Sequence, residues 1–237
     1  MPRIRALLLD FYGTLVRDDD EIMSAISEEI RIRTRVPATT AEVGRFWEDH
    51  FALICTPAHG ESFITLREAA RESLAATIVH FSSDAVAAGL IERQFSHWVA
   101  PPLFPESTEF LEHIQSLGIP CCIVSDIDRA DIEAAINSHG LKVGHLVTSD
   151  DARSYKPRPE MFQRALSRLC CQPEEVLHVG NSRTTDIAGS RAMNIPVAWI
   201  NRGGEPSCTG PAPNYTISNL LEILPLLGGA DSRLPEG

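Results

Sequence analysis

Lysine is almost missing from this chain of 237 residues, which carries only Lys142 and Lys156. Acidic side chains outnumber basic ones by 32 to 21, for a formal charge of −11. That balance argues against general affinity for nucleic acid or an anionic membrane surface, both of which attract cationic patches. Long apolar runs are missing too. No window approaches the roughly 18 apolar residues of a spanning helix, and the N-terminus shows no basic segment followed by a long apolar stretch, so a soluble cytoplasmic protein is expected. The cysteines, at 55, 121, 122, 170, 171 and 208, lack C-x-x-C spacing. Their two adjacent pairs fit neither a small disulfide framework nor a zinc site. They read as reduced, mostly buried small residues.

What the chain does have is a recurring alternation. Short apolar runs at 4–10, 120–126, 144–150, 175–181 and 195–201 each end in a small or acidic polar residue. Amphipathic segments at 107–117, 128–138, 159–169 and 184–193 lie between them, with apolar residues near helical spacing. This is the pattern of an α/β fold, a Rossmann-like parallel sheet with helices on both faces. In such folds ligands bind beyond the carboxyl ends of the strands, so the polar residues closing the runs should gather on one rim.

One stretch breaks the alternation. Residues 17–100 contain no convincing strand and read as helices near 19–34, 39–55, 62–79 and 83–98. The expected division is a core of 1–16 and 101–227, a helical insert of 17–100 and a flexible tail of 228–237. Aromatic residues such as Trp47, Phe95 and Trp98 are read as the insert's own core. The acids of 18–21 are read as a solvated first helical turn. The connections near Arg17 to Asp20 and Ala100 to Pro105 are its hinge candidates, and residues 203–213 a surface loop.

The strand ends supply Asp10 and Thr14, then Ser125 and Asp126, then Lys156, then Asn181 and Asp186. An aspartate can attack an electrophilic carbon or phosphorus and form a covalent intermediate that water later cleaves. It needs a nearby positive charge to stay ionised, a task for Lys156. "DFYGT", "IVSD", "YKPRPEMF" and "HVGNSRTTDIAGS" resemble, in order and separation, the four motifs of the haloacid dehalogenase superfamily of hydrolases. The resemblance runs from residue 4 to about 202, with the insert where that family carries its cap domain. It implies Asp10 as nucleophile, Thr14 and Ser125 holding the transferred group, and Lys156 pairing with the nucleophile. It also implies magnesium held by Asp10, the Tyr12 carbonyl and Asp186, since hard oxygen donors suit that ion. Tyr12, Asp126 and Asn181 are expected beside the substrate.

Tyr12 stands where phosphatases of this superfamily have a second aspartate that protonates the leaving alcohol and activates water. A phenol with a reference pKa near 10 is a poor base at neutral pH. Tyrosine at this place is the mark of the 2-haloacid dehalogenases, whose halide leaves without a proton. Other positions point back. Glu48 falls where those dehalogenases carry a halide-accepting arginine, Phe162 where they have a tyrosine, and the five-residue step from Asn181 to Asp186 has phosphatase spacing with its first acid amidated. The phosphonate-cleaving branch needs a cap lysine, and 17–100 has none.

The balance of motifs narrowly favours magnesium-assisted hydrolysis of a small phosphorylated metabolite. A good leaving group, or an acid such as Glu48, Asp49, His50 or His59, would replace the missing aspartate. The alternatives are a metal-independent 2-haloacid dehalogenase and a catalytically weak binding or regulatory member of the fold. The expected partner is a small-molecule substrate, with neither nucleic acid nor membrane. Monomer and homodimer both stay open.

Overall fold

The computed structural model describes residues 4–204 and 210–227. Part of the loop expected at 203–213, the tail at 228–237 and Cys208 lie outside the described residues. Six parallel strands form one sheet: β1 (Ala6–Leu9), β2 (Cys121–Ser125), β3 (His145–Thr148), β4 (Val176–Gly180), β5 (Val197–Ile200) and β6 (Tyr215–Ile217), in the spatial order β3-β2-β1-β4-β5-β6. β1, β2, β4 and β5 are buried at every position, as helices on both faces require. The strand order reverses beside β1, between β2 and β4, which places the crevice at the ends of β1 and β4. β6 was not among the apolar runs read from the sequence. It has three residues and borrows its place from β5, pairing Ala198 with Tyr215 and Ile200 with Ile217.

Four helices make up the insert: α1 (Asp20–Ile32), α2 (Thr40–Cys55), α3 (Leu66–His80) and α4 (Ala87–Val99). Two begin with reciprocal caps. Thr39 with Glu42, and Thr65 with Glu68, satisfy each other's backbone donors at the starts of α2 and α3. Apolar faces from all four helices then close around Trp47, Leu74 and Phe95, all wholly buried. The remaining helices clothe the sheet: α5 (Ser107–Ser116), α6 (Arg129–Ser138), α7 (Ser149–Ala152), α8 (Pro159–Leu169), α9 (Ala188–Ala192) and α10 (Leu224–Leu227). Pro159 opens α8, where a missing N–H costs nothing. The segment expected as a helix over 184–193 begins instead with a wide π-helical turn at Arg183–Ile187 before α9.

The two crossings between sheet and insert run side by side. Val16 pairs antiparallel with Leu103, Arg17 N donates to Pro102 O (2.8 Å) and Phe104 N donates to Leu15 O (3.2 Å). Farther along, Asp128 of the core accepts from the backbone N–H groups of Leu66 (2.9 Å) and Arg67 (3.0 Å), at the start of α3. Arg67 in turn pairs through two nitrogens with Asp131 (2.7 and 2.6 Å), and Tyr155 donates to Ile64 O (2.8 Å). The insert therefore rests on the core at two sides of the crevice. No helix of the described residues is long and apolar enough to cross a membrane.

Candidate active site

The tip of β1 turns sharply. Phe11 O accepts from Thr14, Leu15 and Val16 N–H, and Gly13 takes a φ of +75° that only glycine adopts without strain. This turn leaves the Asp10 side chain at the mouth of the strand, with its own N–H continuing the ladder to Val179 O (2.9 Å). Lys156 reaches it from the loop before α8. Its ammonium stands 2.7 Å from Asp10 Oδ1 and 2.7 Å from Asp186 Oδ1, all three groups buried. Backbone contacts fix the lysine, since Asp126 Oδ1 accepts its N–H at 2.8 Å.

Asp186 is held from every side. Its Oδ1 also meets His178 Nε2 (3.1 Å) and its Oδ2 accepts from Ser182 N (3.0 Å). Gly180 makes the room: a Cβ there would stand 2.3 Å from Asp186 Cγ. Asn181 faces two acceptors, so its carboxamide nitrogen donates to Tyr12 O (3.2 Å) and to Asp10 Oδ2 (3.3 Å). Thr14 Oγ1 lies 3.4 Å from the same amide.

Burial raises the Asp10 carboxyl and Lys156 pulls it back, leaving it pushed up to about 6. Burial also pushes Asp126 up to about 6, against the pull of Lys156. Asp186 goes the other way: burial would raise it, but the Lys156 ammonium and His178 together hold it well below the usual carboxylate range. Lys156 is desolvated, yet Asp10, Asp186 and Asp126 outweigh that and hold it firmly protonated. The cluster thus carries one permanent cation among carboxylates.

Above it, between core and insert, lies a cavity of about 470 Å³, a size that suits a small molecule. Asp10, Tyr12, Ser125, Asp126, Lys156, Asn181 and Asp186 all line it. Thr14 does not; it is wholly buried beneath. The insert contributes Trp47, Phe51, Gln94 and Trp98, so its aromatic residues serve both its core and the cavity. Of the four candidate acids, Glu48 lines the cavity, whereas Asp49, His50 and His59 do not. Asp19 is not simply solvated as the run 18–21 suggested, because its Oδ2 accepts from Gln94 Nε2 (2.8 Å) and Trp98 Nε1 (2.9 Å).

The Tyr12 hydroxyl donates to the Trp98 carbonyl, and burial raises its pKa far above the ordinary phenol value. It is a tether between core and insert. A magnesium ion at the residues expected to hold it would meet filled oxygens. Asp10 Oδ1 and Asp186 Oδ1 face an ammonium, Asp186 Oδ2 faces an N–H, and the Tyr12 carbonyl and Asp10 Oδ2 face the Asn181 amide. This donor-filled arrangement does not fit the ion.

Two contributors escaped the sequence reading. His178 looked like one more position in an apolar run. Arg202 donates to the carbonyls of Gly13 and Thr14 (2.9 Å each), pairs with Glu106 and lies 3.6 Å over the Phe104 ring, bracing the turn after β1.

Comparison with known proteins shows that the chain belongs to the haloacid dehalogenase-like hydrolases, whose family model matches residues 4–194. It is 28% identical over 231 residues to (S)-2-haloacid dehalogenase 4A of Burkholderia cepacia, covering 94% of this chain and 95% of that one. It is 25% identical over 237 residues to pyrophosphatase PpaX of Bacillus cereus (strain AH820), covering 95% and 97%. Among solved structures, L-2-haloacid dehalogenase from Xanthobacter autotrophicus with chloropropionic acid covalently bound superposes with a TM-score of 0.74 at 17% identity, over 96% of this chain and all of that one. That last likeness is one of fold.

Proposed function

We propose that this hydrolase displaces halide from carbon in a small 2-halo acid. An Asp10 oxygen attacks the carbon that bears the halogen; the new C–O bond forms as the halide leaves with the bonding pair, giving an aspartyl ester. Water then adds at Asp10 Cγ. The bond from Cγ to the substrate oxygen breaks, the hydroxy acid departs, one proton passes to solvent and Asp10 keeps one oxygen from water. Lys156 keeps Asp10 ionised and balances charge on the carbonyl oxygen as water adds.

The observation that carries this reading is the fate of Tyr12. The residue standing where a leaving-group acid would be is tied through its hydroxyl to Trp98 O, and the groups bonded to Asp10 are donors, Lys156 and Asn181. A halide departs as a stable anion and needs no acid. Full-length similarity to 2-haloacid dehalogenase 4A supports it. The test is halide release from 2-halo acids and haloacetate, with one single turnover in 18O water. One 18O atom in the Asp10 peptide, absent from Asp10→Asn, is the expected result; release of phosphate from phosphate esters without halide release would overturn it.

One observation favours a second reading, hydrolysis of a phosphate with a good leaving group. Glu48, a carboxyl of the kind that protonates a leaving oxygen, lines the insert's side of the cavity, and such an acid serves an alcohol leaving group and is of no use to a halide. Phosphate measured in the same panel decides between them. Tight ligand binding without either product would favour a regulatory member.

A further inference from the structure

Asp10 has two oxygens to satisfy in a buried site, and Lys156 takes one of them. The other, Oδ2, and the neighbouring Tyr12 carbonyl both lie within reach of a single side-chain nitrogen, that of Asn181 (3.3 and 3.2 Å). A carboxamide nitrogen carries two hydrogens, one for each acceptor. The seat for this amide is built. A Cβ at Gly13 would stand 2.2 Å from the end of the Asn181 side chain, so only glycine leaves space for it. Trp199 Nε1 donates to the Asn181 carbonyl (2.9 Å) and fixes the backbone from the other side.

An aspartate in the same seat would set a third acceptor against Asp10 Oδ2 and Tyr12 O, an arrangement that needs a cation at its centre. We infer that the Asn181 amide takes the place of a divalent ion in this chain: it supplies the positive ends that hold the nucleophile, and one amide-to-acid exchange turns the seat into a divalent-cation site. Asn181 touches the reacting carboxylate and is in that sense a catalytic residue. The inference rests on the geometry at Asp10 and stands apart from the identity of the leaving group.

The test is calorimetric titration of the full chain with Mg2+ and with Mn2+, in the wild type, Asn181→Asp and Asn181→Leu. Asn181→Asp is expected to bind Mg2+ at least about tenfold more tightly than the wild type, because affinity in such sites follows the charge count of the ligands. Asn181→Leu, which removes the amide without adding charge, is expected to gain nothing. Wild-type affinity equal to that of Asn181→Asp, or no gain in a folded Asn181→Asp, would overturn the inference. Should Asn181→Asp fail to fold, the side-chain 15N resonance of Asn181 in the wild type still decides. It should stay unmoved through an Mg2+ titration, and a saturable shift would sink the idea. Neither readout uses a substrate, so a failed search for halide release leaves it intact.

Discussion

His178, wholly buried in β4, places its Nε2 3.1 Å from Asp186 Oδ1, the same oxygen that receives the Lys156 ammonium. The ring also meets Phe162 edge-on, with centroids 5.4 Å apart. A histidine in the middle of a parallel sheet is justified by this one polar contact. It holds Asp186 toward the lysine.

His178→Leu should therefore cost roughly 1–3 kcal/mol, the usual penalty for removing the partner of a buried polar group. His178→Gln, whose Nε2 can stand near the same place, should recover part of the loss. Urea denaturation of both variants checks the order; equal losses would assign the effect to packing alone.

Activity should follow the ionisation of Asp10. With its carboxyl near 6 in the folded enzyme, kcat/KM should rise with pH through about 6 and then level off, and Asp10→Asn should abolish turnover. The same shift sets a stability trend. A carboxyl raised from its unfolded value near 4 keeps its proton in the folded chain over the window from about 4 to 6, so stability falls as pH rises through that window. Asp126 moves in the same direction. Asp10→Asn should thus flatten the fall in Tm without removing it, which thermal melts across that range would measure.

Tyr12→Phe separates tethering from acid catalysis. Loss of a true general acid lowers rates by about 10²–10⁴-fold. Since the hydroxyl only meets Trp98 O, the change should cost less than about tenfold in kcat. A larger loss with the cap still seated would return Tyr12 to the chemistry.

Asp128→Ala removes the carboxylate that caps α3 from across the crevice. By analogy with N-cap losses the variant should be less stable by about 0.5–2 kcal/mol. Hydrogen exchange should quicken at Leu66 and Arg67 first, with β1 and β4 unaffected. Uniform quickening everywhere would argue that the contact supports the whole fold.

Strand ends were the most readable part of the sequence. Asp10, Lys156 and Asp186 are far apart in the chain; the apolar runs place Asp10 on the rim of a parallel sheet, whereas Lys156 and Asp186 lie beyond the ends of their runs and are joined to it by the resemblance of their motifs. The direction of a side chain within a seat is legible in neither way. Asn181 offers an oxygen and a nitrogen, and only the positions of Asp10 Oδ2 and Tyr12 O decide which end faces them. His178 was hidden because it obeys the burial pattern of its strand. Arg202 and Asp128 were hidden because they act on backbone carbonyls and amides, which are the same in every sequence. β6 was too short to show a period.

The paired crossings at Val16 and Leu103 make the insert a cassette. Both of its borders meet at one seam, so the sheet beneath is already continuous there and does not depend on what is spliced between. A different canopy joined at that seam would change what reaches the crevice while the strand that carries the nucleophile keeps its pairing on both sides.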